Sequence, residues 1–429
     1  MNREHQAIIY DSTNRLYLKI LISYFAFEYV RFQSSFLPFL SPLKISMLLF
    51  LAITVIFMKS KKDVLKDALF KLMCGFTVLL ICHVPFAVNN FFAYHAAKSM
   101  VMNLVVVAST MVILRDRGGL TVFLKGWVVI NALVAVWVIT HGGKGTGGFL
   151  VDENDAALLM NTAFPFGFYL SFLHSNSKFE KFCYQFCALL FVVAVVVSSS
   201  RGGLLGFSMV AISMLIISGK PLRNFSLVFV STVIFSGFIV ALLPAGYIDE
   251  MNSMYNPDDS TRVARLLHWT TAWEIMKDNF LLGVGGGNYP WTSTDYFHLS
   301  PYYFEGMTIR SGRMAHSLYF TLLPETGLLG TVIFIAILAI FFGRMKKIRK
   351  FFDQYNRGFE PSISEVSQEF SLFSKMMVGS VVGYLGTGIF ISVLYYPIFW
   401  SLISMSIVLW YAYISHCTSS PCVIAQLDN

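Results

Sequence analysis

The chain has 429 residues, 56% hydrophobic and only 13% charged, with a mean hydropathy of +0.63. Soluble domains carry roughly 25% charged residues, so a soluble globular protein is excluded. The net charge of +8 and the pI of about 9.0 could mark a nucleic-acid binder. The placement of the cations in alternate loops removes that reading.

A bilayer-spanning helix needs about 20 mostly apolar residues. Segments of that quality are centred near residues 24, 50, 78, 103, 130, 165, 190, 211, 235, 329, 380 and 404. The expected fold class is therefore an all-α integral membrane protein with about 12 transmembrane helices, in a single polytopic domain over 1–429. The first sixteen residues are hydrophilic and lack a signal-peptide core, so the first span is expected to stay. It is the weakest span, interrupted by Lys19, Glu28 and Arg31. With the N-terminus inside, the cytoplasmic loops hold Lys59, Lys61, Lys62 and Lys66, then Arg115 and Arg117, Lys178 and Lys181, Lys220 and Arg223. The last such loop holds Arg344, Lys346, Lys347, Arg349 and Lys350. Both termini are then cytoplasmic, and the polar stretch 246–315 between spans nine and ten is an extracytoplasmic loop subdomain. None of the six cysteines falls in that loop, so no disulfide framework is expected there.

Opening the sixth span from outside is VDENDAALLMNTAFPF, residues 151–166. Asn154 and Asp155, with Asp152 and Glu153, either bind sugar hydroxyls or cap the helix. No DxD-type pair accompanies them, so no metal site is expected. At the outer end of the seventh span stands SSSRGG, residues 198–203. Arg201 there is either a snorkelling anchor or an anion contact beside two glycines that let a ligand approach the backbone.

In the outer loop, Arg262 to Phe280 reads as an amphipathic helix capped by Asp258, Asp259 or Ser260 and able to lie on a membrane surface. Its apolar face is expected at Val263, Leu266, Leu267, Trp273 and Met276, with Arg262, Arg265 and Trp269 on another. Arginine forks can grip two oxygens of a diphosphate, and Arg265 fits that role better than Arg262, which reads as a solvated face. GVGGGNY, residues 283–289, permits a tight turn; lacking a preceding strand and facing outward, it is not a nucleotide loop.

RSGRMAHSLYFTLLPETGLLG, residues 310–330, closes the loop and opens a span. His316 has the side chain suited to proton transfer near neutral pH, and Arg313 precedes it by about one helical turn. The stretch from Ala315 to Gly343 would be roughly 42 Å as one helix, longer than a hydrocarbon core of about 30 Å. A kink near Pro324 is therefore expected, with His316 at the water interface. Gly327 and Gly330 are expected to allow close packing. Glu325 is either functional or paired locally.

In order, spacing and common outer location, these segments resemble the O-antigen ligase and Wzy-type polymerase family of bacterial surface polysaccharide enzymes. The ligase signature runs His, then Asn, Ser or Gln, nine residues, Gly, two residues, then Gly, Thr or Tyr. Here it reads His316, Ser317, nine residues, Gly327, Leu328, Leu329, Gly330. SSSRGG resembles the Ser-Arg-Gly element, and DNFLLGVGGGNY resembles the Gly-Val-Gly-x-Gly-Asn segment, with Asn279-Phe280 where His-Pro is usual. The likeness spans roughly residues 150 to 330.

The resemblance implies a GT-C-like glycosyltransferase of the bacterial inner membrane with a periplasmic active site. Its donor would be a glycan on undecaprenyl diphosphate. The reaction would invert the anomeric centre, with no cofactor, metal or nucleotide sugar. As an O-antigen ligase it would transfer to lipid A-core; as a polymerase, to another lipid-linked glycan; as a protein O-oligosaccharyltransferase, to protein. His316 would be the catalytic base. Arg201 and Arg265, then Arg313 and Arg310, would hold the diphosphate. Tyr289 and Trp269, or Trp291, with Asn154 and Asp155, would line the sugar path. A polysaccharide flippase would call for mid-span charges and internal repeats, and few such charges and no repeats are visible.

Overall fold

A computed structural model describes residues 3–60, 63–114, 116–218, 260–304, 312–355 and 361–419. Among these the chain is all-helical, without a strand. The principal helices are α1 (Arg3–Tyr29), α2 (Ile45–Lys59), α3 (Ala68–His83), α4 (Asn90–Ile113), α5 (Arg117–Thr140), α6 (Glu153–Leu170), α7 (Lys178–Val197) and α8 (Arg201–Ile217). They continue with α9 (Ser260–Asp278), α10 (Tyr289–Tyr296), α11 (Tyr319–Tyr355), α12 (Pro361–Thr387) and α13 (Pro397–Ser419). Eleven of the twelve expected span centres fall inside these helices; the one near residue 235 lies outside the described residues.

Among the described residues, six helical segments are long and apolar enough to cross a membrane. They are Pro38–Lys59, Asn90–Ile113, Arg117–Thr140, Lys178–Val197, Tyr319–Phe352 and Pro397–Thr418, and α3 and α8 are shorter apolar helices. The chain is a multi-pass helical membrane protein. The Pro38–Lys59 window is 11% buried within the protein, whereas that of Pro397–Thr418 is 78% buried. An apolar helix so uncovered needs an apolar solvent, so α2 belongs on the periphery and α13 in the centre. α6 is also enclosed, buried continuously from Asp155 to Ala163. It packs on α7, α8 and α12, and α12 in turn on α11.

Charge separates the two ends of this bundle. Arg344, late in α11, pairs with Asp67 at the start of α3 at 2.8 Å, and Arg117 pairs with Glu369 at 3.0 Å. Arg344 lies 25 residues beyond Tyr319, about 37 Å along the helix at 1.5 Å per residue. The ends of α3 and α5 and the starts of α6, α8 and α11 therefore share the opposite end.

The expected break in α11 is present at Gly327, with φ 58° and ψ −159°. The loop after α9 docks into this break. Val284 N–H donates to the Pro324 carbonyl at 2.8 Å, Gly285 N–H to the Glu325 carbonyl at 3.0 Å, and Leu328 N–H to the Phe280 carbonyl at 2.8 Å. Contact is so close that a Cβ on Gly327 would lie 2.7 Å from the Leu281 carbonyl, and one on Gly283 2.5 Å from the Glu325 carbonyl carbon. The buried Glu325 carboxylate completes the junction. It accepts from Gly287 N–H at 2.7 Å, Tyr289 N–H at 3.2 Å and the Tyr395 hydroxyl at 2.6 Å. Local pairing is thus what the structure gives Glu325.

Helix α9 corrects one expectation. Its buried positions are Leu267, His268, Thr271, Ala272, Ile275 and Met276, a regular stripe facing α10 and α11. Trp273, expected in the apolar face, is exposed. Two small or polar residues and a histidine occupy the buried stripe, so the apolar side chains alone misplaced the helix rotation.

Candidate active site

Four helix ends and one connection meet at the end of the bundle away from the ion pairs. At the start of α6, the Asp152 carboxylate caps the helix, accepting from Asn154 N–H and Asp155 N–H at 2.9 Å each. The buried Asp155 carboxylate turns back onto the same turn, accepting from Val151 N–H at 3.0 Å and Asp152 N–H at 3.2 Å. Of the two sequence readings of this stretch, the hydrogen bonds of Asp152 and Asp155 give the capping one directly. Asn154 instead ties α6 to α8, accepting from the Ser200 hydroxyl at 2.7 Å.

Ser200 is the N-cap of α8, its oxygen also accepting from Gly203 N–H at 2.9 Å. Arg201 follows as the first residue of that helix and is half-buried. The next residue, Gly202, abuts Phe390, in the connection between α12 and α13. Phe390 is the hub that sequence reasoning missed. The Arg265 guanidinium carbon sits 5.7 Å from its ring centre, a cation–π distance, and the Trp269 ring lies 6.3 Å away. One aromatic thus seats Arg265 of α9 against the turn that carries Arg201. The short Gly- and Phe-containing run between two apolar spans gave no sign of this beyond its interruption of the helix.

His316 occupies the turn before α11 with φ 49°, a left-handed conformation rare outside glycine. Its neighbours hold the turn. Leu318 N–H donates to the Gly388 carbonyl at 2.7 Å, and Ser317 N–H reaches the Ser392 hydroxyl at 3.4 Å. The Trp269 indole N–H donates to the Ala315 carbonyl at 3.1 Å, while its ring stacks on Phe320 at 5.2 Å. Trp269 therefore supports the turn rather than offering a free N–H to a sugar.

The electrostatics around His316 are mixed. Partial burial holds its pKa below the ordinary value, Arg265 and Arg313 push it the same way, and Asp152 opposes them. The residue remains exposed at the surface. An accessible imidazole kept neutral beside two guanidinium groups can accept a proton while anionic oxygens are held next to it.

Behind it lies His268, which sequence reasoning also missed. It is buried, and its pKa is pushed down to about 4 by burial, then by His316 and Arg313. The Tyr289 hydroxyl donates to the His268 carbonyl at 2.9 Å, so at 2.9 Å from His268 Nδ1 that oxygen is left to accept. The neutral ring then carries its proton on Nδ1. Tyr289 is fully buried in this pair. Trp291 packs against Phe92, with the ring centres 4.8 Å apart. Arg313 is exposed and within electrostatic reach of His316. Arg310 and the cap candidates Asp258 and Asp259 lie outside the described residues.

Comparison with known families bears directly on this cluster. Residues 186–335 match the O-antigen ligase family. The matched stretch is about a third of the chain and contains Arg201, Arg265, Arg313, His316, Glu325 and Gly327. A search of curated proteins gives no match. The O-antigen ligase match agrees with the resemblance read from the motifs and supports a glycosyltransferase-type enzyme acting on lipid-linked glycans in a membrane. Asp152, Asn154 and Phe390, which complete the cluster, come from outside the matched stretch.

Proposed function

We propose that the protein is an O-antigen ligase that moves a glycan from undecaprenyl diphosphate to a hydroxyl of lipid A-core at the periplasmic face of the inner membrane. The reading rests on one observation above all: an accessible His316, kept neutral beside Arg265 and Arg313, within a stretch that matches the O-antigen ligase family.

In this mechanism the acceptor hydroxyl approaches the anomeric carbon from the side opposite the diphosphate. His316 takes the hydroxyl proton as the new C–O bond forms, a contribution typically of 10²–10⁴-fold. The sugar–phosphate bond breaks with inversion, and its electron pair leaves with the diphosphate. Arg265, Arg313 and Arg201 stabilise that charge, with Arg265 pre-set against Phe390. Fixed cations in a partly desolvated site favour the transition state without reorganising.

Deleting the gene and running a surface-glycan gel tests the assignment. A ligase defect leaves bare core, with glycan retained on its lipid carrier. Core bearing a single repeat would overturn ligation in favour of polymerisation, and an unchanged glycan profile would overturn both.

A further inference from the structure

A second cationic feature lies at the same end of the bundle, in residues that the mechanism does not use. The connection between α5 and α6 begins HGGKGTGG, residues 141–148. Its Gly143 lies directly against the backbone of Val197 and Ser198, in the turn that leads to Arg201; a Cβ there would be 2.6 Å from the Ser198 Cα. At its far end the connection runs into Asp152, which acts on His316. One loop thus borders both the arginine and the histidine sides of the candidate active site.

Arg31 reaches this loop from the end of α1. Its backbone is left-handed, with φ 56° and ψ 46°, a cost accepted by few non-glycine residues. Its side chain lies over Gly148. A Cβ on Gly148 would meet the guanidinium at 2.0 Å, so a larger residue there would displace the Arg31 side chain from this seat. Arg31 Nε donates to the Ser34 hydroxyl at 3.2 Å, which fixes the fork. The loop itself is anchored to α1 and its following turn. The Thr146 hydroxyl donates to the Tyr29 carbonyl at 2.6 Å, and the Ser35 hydroxyl to the Thr146 carbonyl at 3.0 Å. Lys144 stands exposed on the same loop. Among the described residues, no carboxylate lies within ion-pairing distance of Arg31 or Lys144; Glu28 acts on Arg31 only from farther away.

A seated guanidinium with no ion pair among the described residues, on a backbone held left-handed, is arranged for an anion from outside the chain. Arginine binds phosphate or carboxylate through two parallel hydrogen bonds, and a pre-set fork loses little entropy on binding. We propose that Arg31 and Lys144 form a second anion subsite, which takes a phosphate or carboxylate substituent on the glycan undergoing transfer. From Gly148 to Asp152 is four residues, at most about 14 Å of chain. The substituent would therefore sit within a few sugar units of the anomeric centre that His316 serves. The inference deepens the transferase reading and rests on it.

The test uses full-length protein in nanodiscs and binding rather than turnover. The probes are a phosphorylated core oligosaccharide with its phosphatase-treated twin, and a uronate-bearing glycan with its carboxyl-reduced twin. The wild type is expected to bind at least one charged probe tenfold or more tightly than its neutral twin, with the preference fading as salt rises. Arg31→Gln with Lys144→Gln should abolish that preference, and Arg31→Lys should keep part of it. The pair that responds identifies phosphate or carboxylate as the ligand. Equal binding of both members of each pair by the wild type, or an unaltered preference in the double variant, overturns the subsite. If Arg31→Gln does not accumulate, Lys144→Gln alone must still reduce the preference at least threefold, and no reduction counts against the proposal. A parallel transfer assay separates the two readings: charge-selective binding without any glycan transfer would refute the enzyme and leave the anion site standing.

Discussion

Trp269 donates its indole N–H to the Ala315 carbonyl at 3.1 Å, so α9 grips the chain one residue before the histidine. The same ring stacks on Phe320, one residue into α11. Both contacts hold a turn whose histidine has a left-handed backbone. Trp269→Phe keeps an aromatic stack and removes the hydrogen bond, worth about 1 kcal/mol. The expected result is a roughly fivefold lower single-turnover transfer rate with donor affinity little altered. Trp269→Ala, losing both contacts, should lower the rate further. A Phe variant with the wild-type rate would show that the turn holds without the indole.

The charges around His316 make opposite predictions for pH dependence. A general base works when neutral, so kcat/KM should fall as pH drops through the His316 pKa, which lies below the ordinary histidine value. Arg265 lowers that pKa, so Arg265→Gln should move the acid limb to higher pH. Asp152 raises it, so Asp152→Asn should move the limb to lower pH; asparagine still caps α6. His316→Ala should lower transfer by about 10²–10⁴-fold while the protein still inserts in the membrane. Acid limbs that stay fixed in both charge variants would remove His316 as the titrating group.

The helices of the bundle were legible because apolar runs of span length and loop cations carry their own physics, independent of partners. His316 and Arg265 were singled out by residue type and motif spacing, and the structure brings them within electrostatic reach of each other. Phe390 was not singled out, since its role depends on α8 and α9 converging on a connection nearly two hundred residues after the start of α8. His268 and Ala272 escaped for a different reason: a histidine and an alanine do not announce a buried stripe, whereas Trp273 did so and misled. Asp155 and Tyr289 were read by side-chain chemistry alone, which carries no signal that both side chains are buried.

The junction at Gly327 gives a stability prediction. Its φ of 58° with ψ of −159° is a region that side chains avoid, and a Cβ would lie 2.7 Å from the backbone of Leu281 and Gly283. Gly327→Ala should therefore combine backbone strain of about 1–3 kcal/mol with the cost of separating two backbones. The loop from Phe280 to Tyr289 should come away from α11, exposing Gly287 and Tyr289 amides now bound to Glu325. Hydrogen exchange at those amides and a lower thermal midpoint in detergent are the expected signs. Gly343→Ala provides the control, since no atom lies within 4 Å of a Cβ there. Equal behaviour of the two variants would mean that the close approach does not matter.

His268 makes stability depend on acid in a definite direction. Its folded pKa is pushed down to about 4, against an ordinary value near 6.5, so the unfolded chain binds this proton first as pH falls. A depressed histidine thus contributes no penalty above about pH 6.5. Below that, stability is progressively lost, until the loss levels off near pH 4 where the folded state also protonates. The affected contacts are those of α9 with α10, through the Tyr289 hydroxyl. Replacing His268 with Gln keeps a group able to bond Tyr289 and removes the titration. The variant should be less stable than wild type at pH 7.5, because the amide fits the ring's space less well, yet its thermal midpoint should decline less between pH 6.5 and 4.5. Parallel decline of the two proteins over that window would show that His268 does not sense the proton.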